Sequence, residues 1–175
     1  MFLIARRLFD LAAAVAAGAA LALMPAHALF TAILLSETYF GFLLAAILAV
    51  CVYFVFGRER PHLGIIFGLG VLTAFTGYVR GEFLAFGGVI ALLMLWQWRS
   101  RSLPALAALA VGALLVITPW TIRNWVVFDE PLVGTTGAGR TMYQGHNPEA
   151  DGGPSLVAVG KVEAPFAGLP RDEIE

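Results

Sequence analysis

The chain has 175 residues, of which 59% are hydrophobic and 13% charged, and its formal net charge is −1 at pH 7. Its mean hydropathy is +0.83, whereas about a quarter of the residues in a soluble globular domain are charged. This composition excludes an ordinary soluble domain, and the near-neutral charge without a basic patch excludes nucleic acid as a partner.

Charge-free runs follow one another through the first two thirds of the chain. They are bounded by Asp10 and Glu37, Glu37 and Arg58, Arg60 and Arg80, Glu82 and Arg99, and Arg101 and Arg123. Each run can hold a helix of about 17–25 residues, the length that crosses a bilayer. We therefore predict an all-α integral membrane protein with about five transmembrane helices, at about 8–26, 38–56, 63–79, 83–98 and 103–120.

The arginines in the short connections predict the orientation of the protein. One side of the predicted bundle carries six arginines against Arg80 on the other side: Arg6, Arg7, Arg58, Arg60, Arg99 and Arg101. Basic residues in short loops stay in the cytoplasm, so the six-arginine side is predicted to be cytoplasmic. Residues 1–120 then form the transmembrane bundle, and residues 121–175 form an extracytoplasmic, glycine-rich tail.

The first predicted span has a competing interpretation as a secretory signal. Arg6-Arg7 precedes an alanine-rich run that ends in Pro25-Ala-His-Ala, which resembles a twin-arginine signal with a small-residue cleavage site. We favour a retained span, because the residues before the arginines are apolar and four more spans follow. In both interpretations Leu29 lies outside the cytoplasm.

Five polar or charged residues fall at the predicted outer ends of the spans: Glu37, Arg80, Glu82, Arg123 and Asn124. Ionisable groups in or near a bilayer are costly and often functional. Arginine binds phosphate oxygens through two parallel hydrogen bonds. If the helices bundle with these residues facing one cavity, a lipid-linked phosphate or pyrophosphate is the expected ligand.

Each of these residues also has a structural interpretation. Glu37 suits the first turn of a helix, where the helix dipole favours an acid. Arg80 and Glu82 suit a solvated turn between two spans. Arg123 suits a snorkelling anchor, with its stem in the bilayer and its charge at the interface.

The tail carries polar side chains of the kind that hold a sugar or a polar acceptor: Tyr143, His146, Asn147, Glu149 and Asp151. A structured loop without catalytic residues is the alternative. We predict no metal site, because the single histidine lacks a second nitrogen or sulfur ligand at a suitable spacing.

Several short motifs occur in a characteristic order. They are Met24-Pro25 followed by Leu34-Leu-Ser-Glu-Thr38, Gly68-Leu-Gly-Val-Leu-Thr73 running to Val79-Arg-Gly-Glu82, Thr118-Pro-Trp-Thr-Ile-Arg-Asn-Trp125, and Gly145-His-Asn-Pro-Glu-Ala150. In these motifs the chain resembles the C-type membrane glycosyltransferases, in the bacterial branch related to protein O-mannosyltransferases and aminoarabinose transferases. Gly81 stands where that family usually has a proline.

The resemblance implies transfer of a sugar from a polyprenyl-phosphate donor to an unidentified extracytoplasmic acceptor, in the bacterial inner membrane and without a further cofactor. Arg80, Arg123 and Asn124 would bind the lipid phosphate, and Glu37 and Glu82 would shape the cavity. Tyr143, His146 and Asn147 would contact substrate. The family's catalytic base lies in a loop upstream of anything in this chain. The catalytic residue is therefore unknown, and we expect a portion of a larger enzyme that is inactive alone.

A protein without enzymatic activity is the alternative function. A piece of a transporter or a small assembly subunit would show the same run of spans, although transporters often carry charges near the bilayer midplane. The predicted charges here lie at the ends of the spans.

Overall fold

The computed structural model describes residues 1–26, 29, 36–59, 61–129, 131–133, 142–143 and 145–147. The chain divides into two compact units, 1–134 and 135–175. The described residues form helices and turns and no strand. The first unit contains α1 (Phe2–Leu8), α2 (Leu11–Leu23), α3 (Ser36–Val50), α4 (Leu63–Val79), α5 (Leu84–Trp98) and α6 (Leu103–Phe128).

Three short segments connect or extend these helices. A π-helical turn, Cys51–Val55, continues α3, and the 3₁₀ turns Gly81–Phe83 and Arg99–Arg101 join α4 to α5 and α5 to α6. The two 3₁₀ turns are too short for a crossover, and Arg80 at the end of α4 bonds to Glu37 at the start of α3, which makes α3 and α4 antiparallel. The helices α3 to α6 therefore run alternately up and down. As a result α4 and α6 point in the same direction.

The core of the first unit lies between α3, α4, α5 and α6. It is almost entirely apolar and consists of Ile47, Cys51, Val55, Ile66, Leu69, Phe83, Ile90, Met94, Trp98, Ala105 and Leu109. The buried hydroxyls of Thr73 and Thr76 donate to the carbonyls of Leu69 and Leu72, one turn earlier in α4. The polar groups inside α4 are thus satisfied within the helix.

Two glycines allow α4 and α6 to touch through their backbones. A Cβ atom at Gly70 would overlap the carbonyl oxygen of Leu109, and one at Gly112 would overlap the carbonyl oxygen of Phe67. Small residues of this kind let helices pack closely where the hydrophobic effect does not drive them together. By contrast, Gly68 has open space where its Cβ would lie.

Two helices are long and apolar enough to cross a membrane, Ser36–Val55 and Leu103–Phe128. Only 22% and 17% of their most apolar windows are buried in the protein, whereas the core helix of a soluble protein is mostly buried. Their outer faces carry exposed side chains such as Phe42, Leu115 and Val126. Both helices overlap predicted spans (38–56 and 103–120), and the other described helices have fewer than 18 residues.

The predicted first span, 8–26, differs from the structure. The helix breaks at Phe9 and Asp10, and α1 folds back along α2, so that a Cβ at Gly18 would lie 3.4 Å from Phe2 Cβ. Asp10 is the N-cap of α2, with its carboxylate accepting from Ala13 N at 2.8 Å. The charge-free run after Asp10 therefore contains the 13-residue helix α2, which begins at Asp10 and is shorter than the predicted span.

The helix that contains the predicted last span, 103–120, extends beyond it. The helix α6 continues to Phe128 and ends at Asp129 in the left-handed conformation, with Pro119 inside it. Proline lacks the backbone donor for the carbonyl four residues earlier, here that of Leu115. The next carbonyl, that of Val116, accepts from the Tyr78 hydroxyl at 2.6 Å. Residues 121–128 thus belong to the helix, whereas we predicted that they begin the tail.

Candidate functional site at the Arg80 end of the bundle

Arg80 and Glu37 meet at one end of the bundle. Arg80 is the C-cap of α4 in an extended conformation, and Glu37 lies in the first turn of α3. The Arg80 Nη2 atom donates to Glu37 Oε1 at 2.7 Å, and the two side chains are 42% and 38% exposed. The pair is therefore reachable by a ligand, and the structure brings these two predicted site residues together.

Three phenylalanines build an aromatic wall beside Arg80. The Phe83 ring meets Phe40 edge to face, with centroids 5.4 Å apart, and stacks on Phe86 at 4.8 Å. The Arg80 guanidinium lies 5.6 Å from the Phe40 ring centroid. Phe40 is one turn after Glu37 on α3, whereas Phe83 ends the 3₁₀ turn before α5 and Phe86 lies in the first turn of α5. These phenylalanines were not predicted as site residues, although Phe40 follows Glu37 by three residues and Phe86 follows Phe83 by three.

These groups line a cavity of about 520 Å³. Its described lining consists of Phe40, Arg80, Phe83, Ala85, Phe86 and Val89. Arg80 is the one charged residue in that lining, and the remaining surface is apolar. Such a cavity can accommodate an apolar chain next to a group that binds an anion.

Arg123 lies on the extension of α6. Its guanidinium lies 5.4 Å from the Trp120 ring and 5.9 Å from the Phe128 ring, and Nη1 donates to Asn124 Oδ1 at 3.1 Å. In the described part of the chain, Arg123 has no hydrogen bond or ion pair with Glu37 or Arg80. The predicted site residues are therefore brought together as two groups.

Asn124 is buried, with 3% of its surface exposed. Its amide nitrogen donates to the Leu132 carbonyl at 3.0 Å, and its amide oxygen accepts from Arg123. The side chain thus fastens the segment after α6 to the helix. The predicted contact of Asn124 with phosphate stays a prediction; its described contacts are with Arg123 and Leu132.

Tyr78 and Trp120 hold the Glu37–Arg80 pair and the Arg123–Asn124 pair at the same end of the bundle. Their ring centroids are 5.6 Å apart, and the Tyr78 hydroxyl bonds to α6 at Val116. Arg80 follows Tyr78 by two residues, and Arg123 follows Trp120 by three. Both arginines are therefore fixed relative to the same contact between α4 and α6.

The other predicted site residues contribute less to the described geometry. The backbone of Glu82 lies in the 3₁₀ turn, but its side chain is outside the described part. In the second unit, Asn147 Nδ2 donates to the Tyr143 carbonyl at 2.8 Å, and His146 Nδ1 lies 3.1 Å from the Met142 carbonyl. Glu149 and Asp151 fall outside the described residues. Among the described residues, no three metal-ligating side chains cluster.

Comparisons with protein-family models, with curated proteins and with solved structures gave no match. The resemblance to C-type glycosyltransferases therefore stays a prediction from the motifs.

Proposed function

We propose that this chain is part of a membrane glycosyltransferase that moves a sugar from a polyprenyl-phosphate donor to an extracytoplasmic acceptor. The observation that carries the proposal is the Arg80 guanidinium in the wall of an aromatic cavity, at the end of an apolar helix bundle. A polyprenyl phosphate combines a long apolar chain with an anionic head, and the cavity offers a complementary surface for each part. A guanidinium can bind the phosphate through two hydrogen bonds.

The membrane arrangement of the proposal takes α2 as a short first span and α3 to α6 as the other four, in a bacterial inner membrane with the tail outside the cytoplasm. The up-and-down order of α3 to α6 supports it, because this order places Glu37 and Arg80 at one end and the connections with Arg58, Arg99 and Arg101 at the other. Under the positive-inside rule the Arg80 end then faces away from the cytoplasm.

Sugar transfer by the protein expressed from its complete gene tests the proposal. We expect membranes that contain the protein to transfer label from a polyprenyl-phosphate sugar to an extractable acceptor. Arg80→Ala should lower the rate at least about a hundredfold, the scale for loss of a group that stabilises developing charge. Arg7→Ala, which removes an exposed arginine elsewhere in the chain, is the matched control. Equal rates in all three proteins would remove Arg80 from the site.

A binding protein without catalysis is the alternative. The observation in its favour concerns Glu37, the carboxylate that contacts the cavity residue Arg80. Because Glu37 is already paired with Arg80, it is not available to take a proton from an acceptor hydroxyl. Retention of polyprenyl phosphate by the purified protein, without transfer to any acceptor fraction, would favour this alternative.

A further inference from the structure

At the end of the first unit opposite Arg80, two connections are bonded to each other. The Arg58 carbonyl, after the π-helical turn, accepts from Trp98 Nε1 at 2.9 Å and from Gln97 Nε2 at 3.2 Å. Gln97 Nε2 also donates to the Val55 carbonyl at 2.9 Å. Trp98 is buried and precedes Arg99 directly. These bonds hold the backbone of Arg58 next to the start of the Arg99–Arg101 turn.

The Arg99–Arg101 turn has an unusual backbone. Arg99 has φ 48° and ψ −117°, a combination that costs an L-residue free energy and favours glycine. The buried Ser102 hydroxyl donates to the Arg99 carbonyl at 2.5 Å and helps to hold this conformation. An L-residue rather than glycine thus occupies a strained position at the start of this turn.

Three arginines are exposed on this surface, Arg58, Arg99 and Arg101. The one ion pair among the described residues is that of Arg80 with Glu37, so Glu59 and Asp10 do not neutralise the three by contact. The Arg58 guanidinium donates once, to the Tyr53 carbonyl at 3.0 Å. Trp96, 78% exposed, lies three residues before Arg99. An indole beside unpaired cations is typical of the boundary between bilayer and water.

We propose that Arg58, Arg99 and Arg101 form a binding site for the phosphate headgroup of an anionic phospholipid on the cytoplasmic leaflet. The site rests on the membrane insertion proposed above, but not on glycosyl transfer. Guanidinium groups bind phosphate oxygens bidentately, and basic pockets between membrane helices on the cytoplasmic side select anionic lipids. The bonds from Gln97 and Trp98 preorganise the cluster, because they fix the two connections before a lipid arrives.

Thermal unfolding in lipid nanodiscs tests the site. We expect the protein to be stabilised in phosphatidylglycerol nanodiscs relative to phosphatidylcholine nanodiscs. Native mass spectrometry should show about tenfold more retained phosphatidylglycerol than phosphatidylcholine. Three basic residues without salt would give a larger preference, but salt screens part of the attraction between the arginines and the lipid. Arg58→Gln/Arg99→Gln/Arg101→Gln should abolish this preference. The control Arg140→Gln/Lys161→Gln/Arg171→Gln removes the same charge from the tail and should keep it.

A salt series on the unmodified protein is a second measurement, for the case in which the triple variant does not insert. Raising the salt concentration to about 0.5 M should remove most of the preference, because the contacts lie at an exposed surface. No preference in the unmodified protein, or equal preference in the two triple variants, would overturn the proposal. Arg80→Ala should leave the preference unchanged, so this outcome is separate from the test of sugar transfer.

Discussion

Glu37 and Arg80 are 43 residues apart in the sequence and are joined by a hydrogen bond of 2.7 Å between Arg80 Nη2 and Glu37 Oε1. The bond connects the start of α3 to the end of α4. It also puts a carboxylate on the guanidinium that lines the aromatic cavity. A phosphate that enters the cavity must therefore share Arg80 with Glu37 or displace it.

Glu37→Gln should strengthen the binding of polyprenyl phosphate. The amide keeps the size of the side chain but removes the negative charge that competes for Arg80. Since an exposed ion pair is weak, we expect the dissociation constant to fall by up to about fivefold. Titration of the detergent-solubilised protein measures it, with Glu59→Gln as the control for loss of an exposed carboxylate. Weaker binding in Glu37→Gln would mean that Glu37 holds Arg80 in its binding position.

Gly70→Ala and Gly112→Ala should each destabilise the bundle. The new methyl group would overlap a backbone carbonyl of the neighbouring helix, and overpacking of this kind costs about 1–3 kcal/mol. Gly68→Ala on the same helix is the matched control, because its Cβ would meet open space. Helix propensity alone would make this control about 0.5–1 kcal/mol more stable. Equal unfolding midpoints for Gly68→Ala and Gly70→Ala would contradict the close contact between α4 and α6.

Tyr78→Phe should remove the hydrogen bond to the Val116 carbonyl while keeping the ring on Trp120. Hydrogen bonds between membrane helices contribute about 0.6 kcal/mol on average. We expect a loss of about 0.5–1.5 kcal/mol, the usual range for one hydrogen bond, because this bond is short and partly buried. Chemical unfolding in detergent gives the difference. Tyr39→Phe, which removes an exposed hydroxyl on α3, should leave stability unchanged, and an equal loss in both variants would argue against this role of Tyr78.

Asn124→Ala should lower stability without weakening the binding of lipid phosphate by the folded protein. The buried amide links Arg123 to the Leu132 carbonyl, and the loss of a partner for buried polar groups costs about 1–3 kcal/mol. Unfolding and binding are measured on the same preparation, with Thr121→Val as a control on the same helix. A binding loss in Asn124→Ala as large as that in Arg80→Ala would instead make Asn124 a ligand of the phosphate.

The middle helices were predictable because charged residues bound them. The predicted 63–79 matches α4 (Leu63–Val79), and the predicted 83–98 lies within a residue of α5 (Leu84–Trp98). The predicted bounds of the first and last helices were wrong, because those helix ends depend on local interactions of single residues. Asp10 marked the edge of a charge-free run, but as an N-cap it starts a new helix and allows α1 to fold back. Pro119 suggested the end of α6, but the helix continues through it.

The candidate site was predictable only in part. Charge and depth were sufficient to place Glu37 and Arg80 at the same end of the bundle. They did not reveal the wall formed by Phe40, Phe83 and Phe86. The inward face of a helix is predicted from the spacing of its apolar residues, and a helix that is apolar on all sides lacks such a pattern. The role of Asn124 depended on Leu132, which lies beyond a helix end that the sequence placed too early.

The helix α6 contributes no residue to the described lining of the Arg80 cavity. With 26 residues, α6 is about 39 Å long, and its last eight residues follow Trp120, which packs against Tyr78 near the end of α4. The described cavity lining comes from α3 and α5 together with Arg80, and α6 packs on α4 through Gly70 and Gly112. A lipid bound as proposed would therefore contact α3 and α5 beside Arg80, and α6 would support the site only through α4.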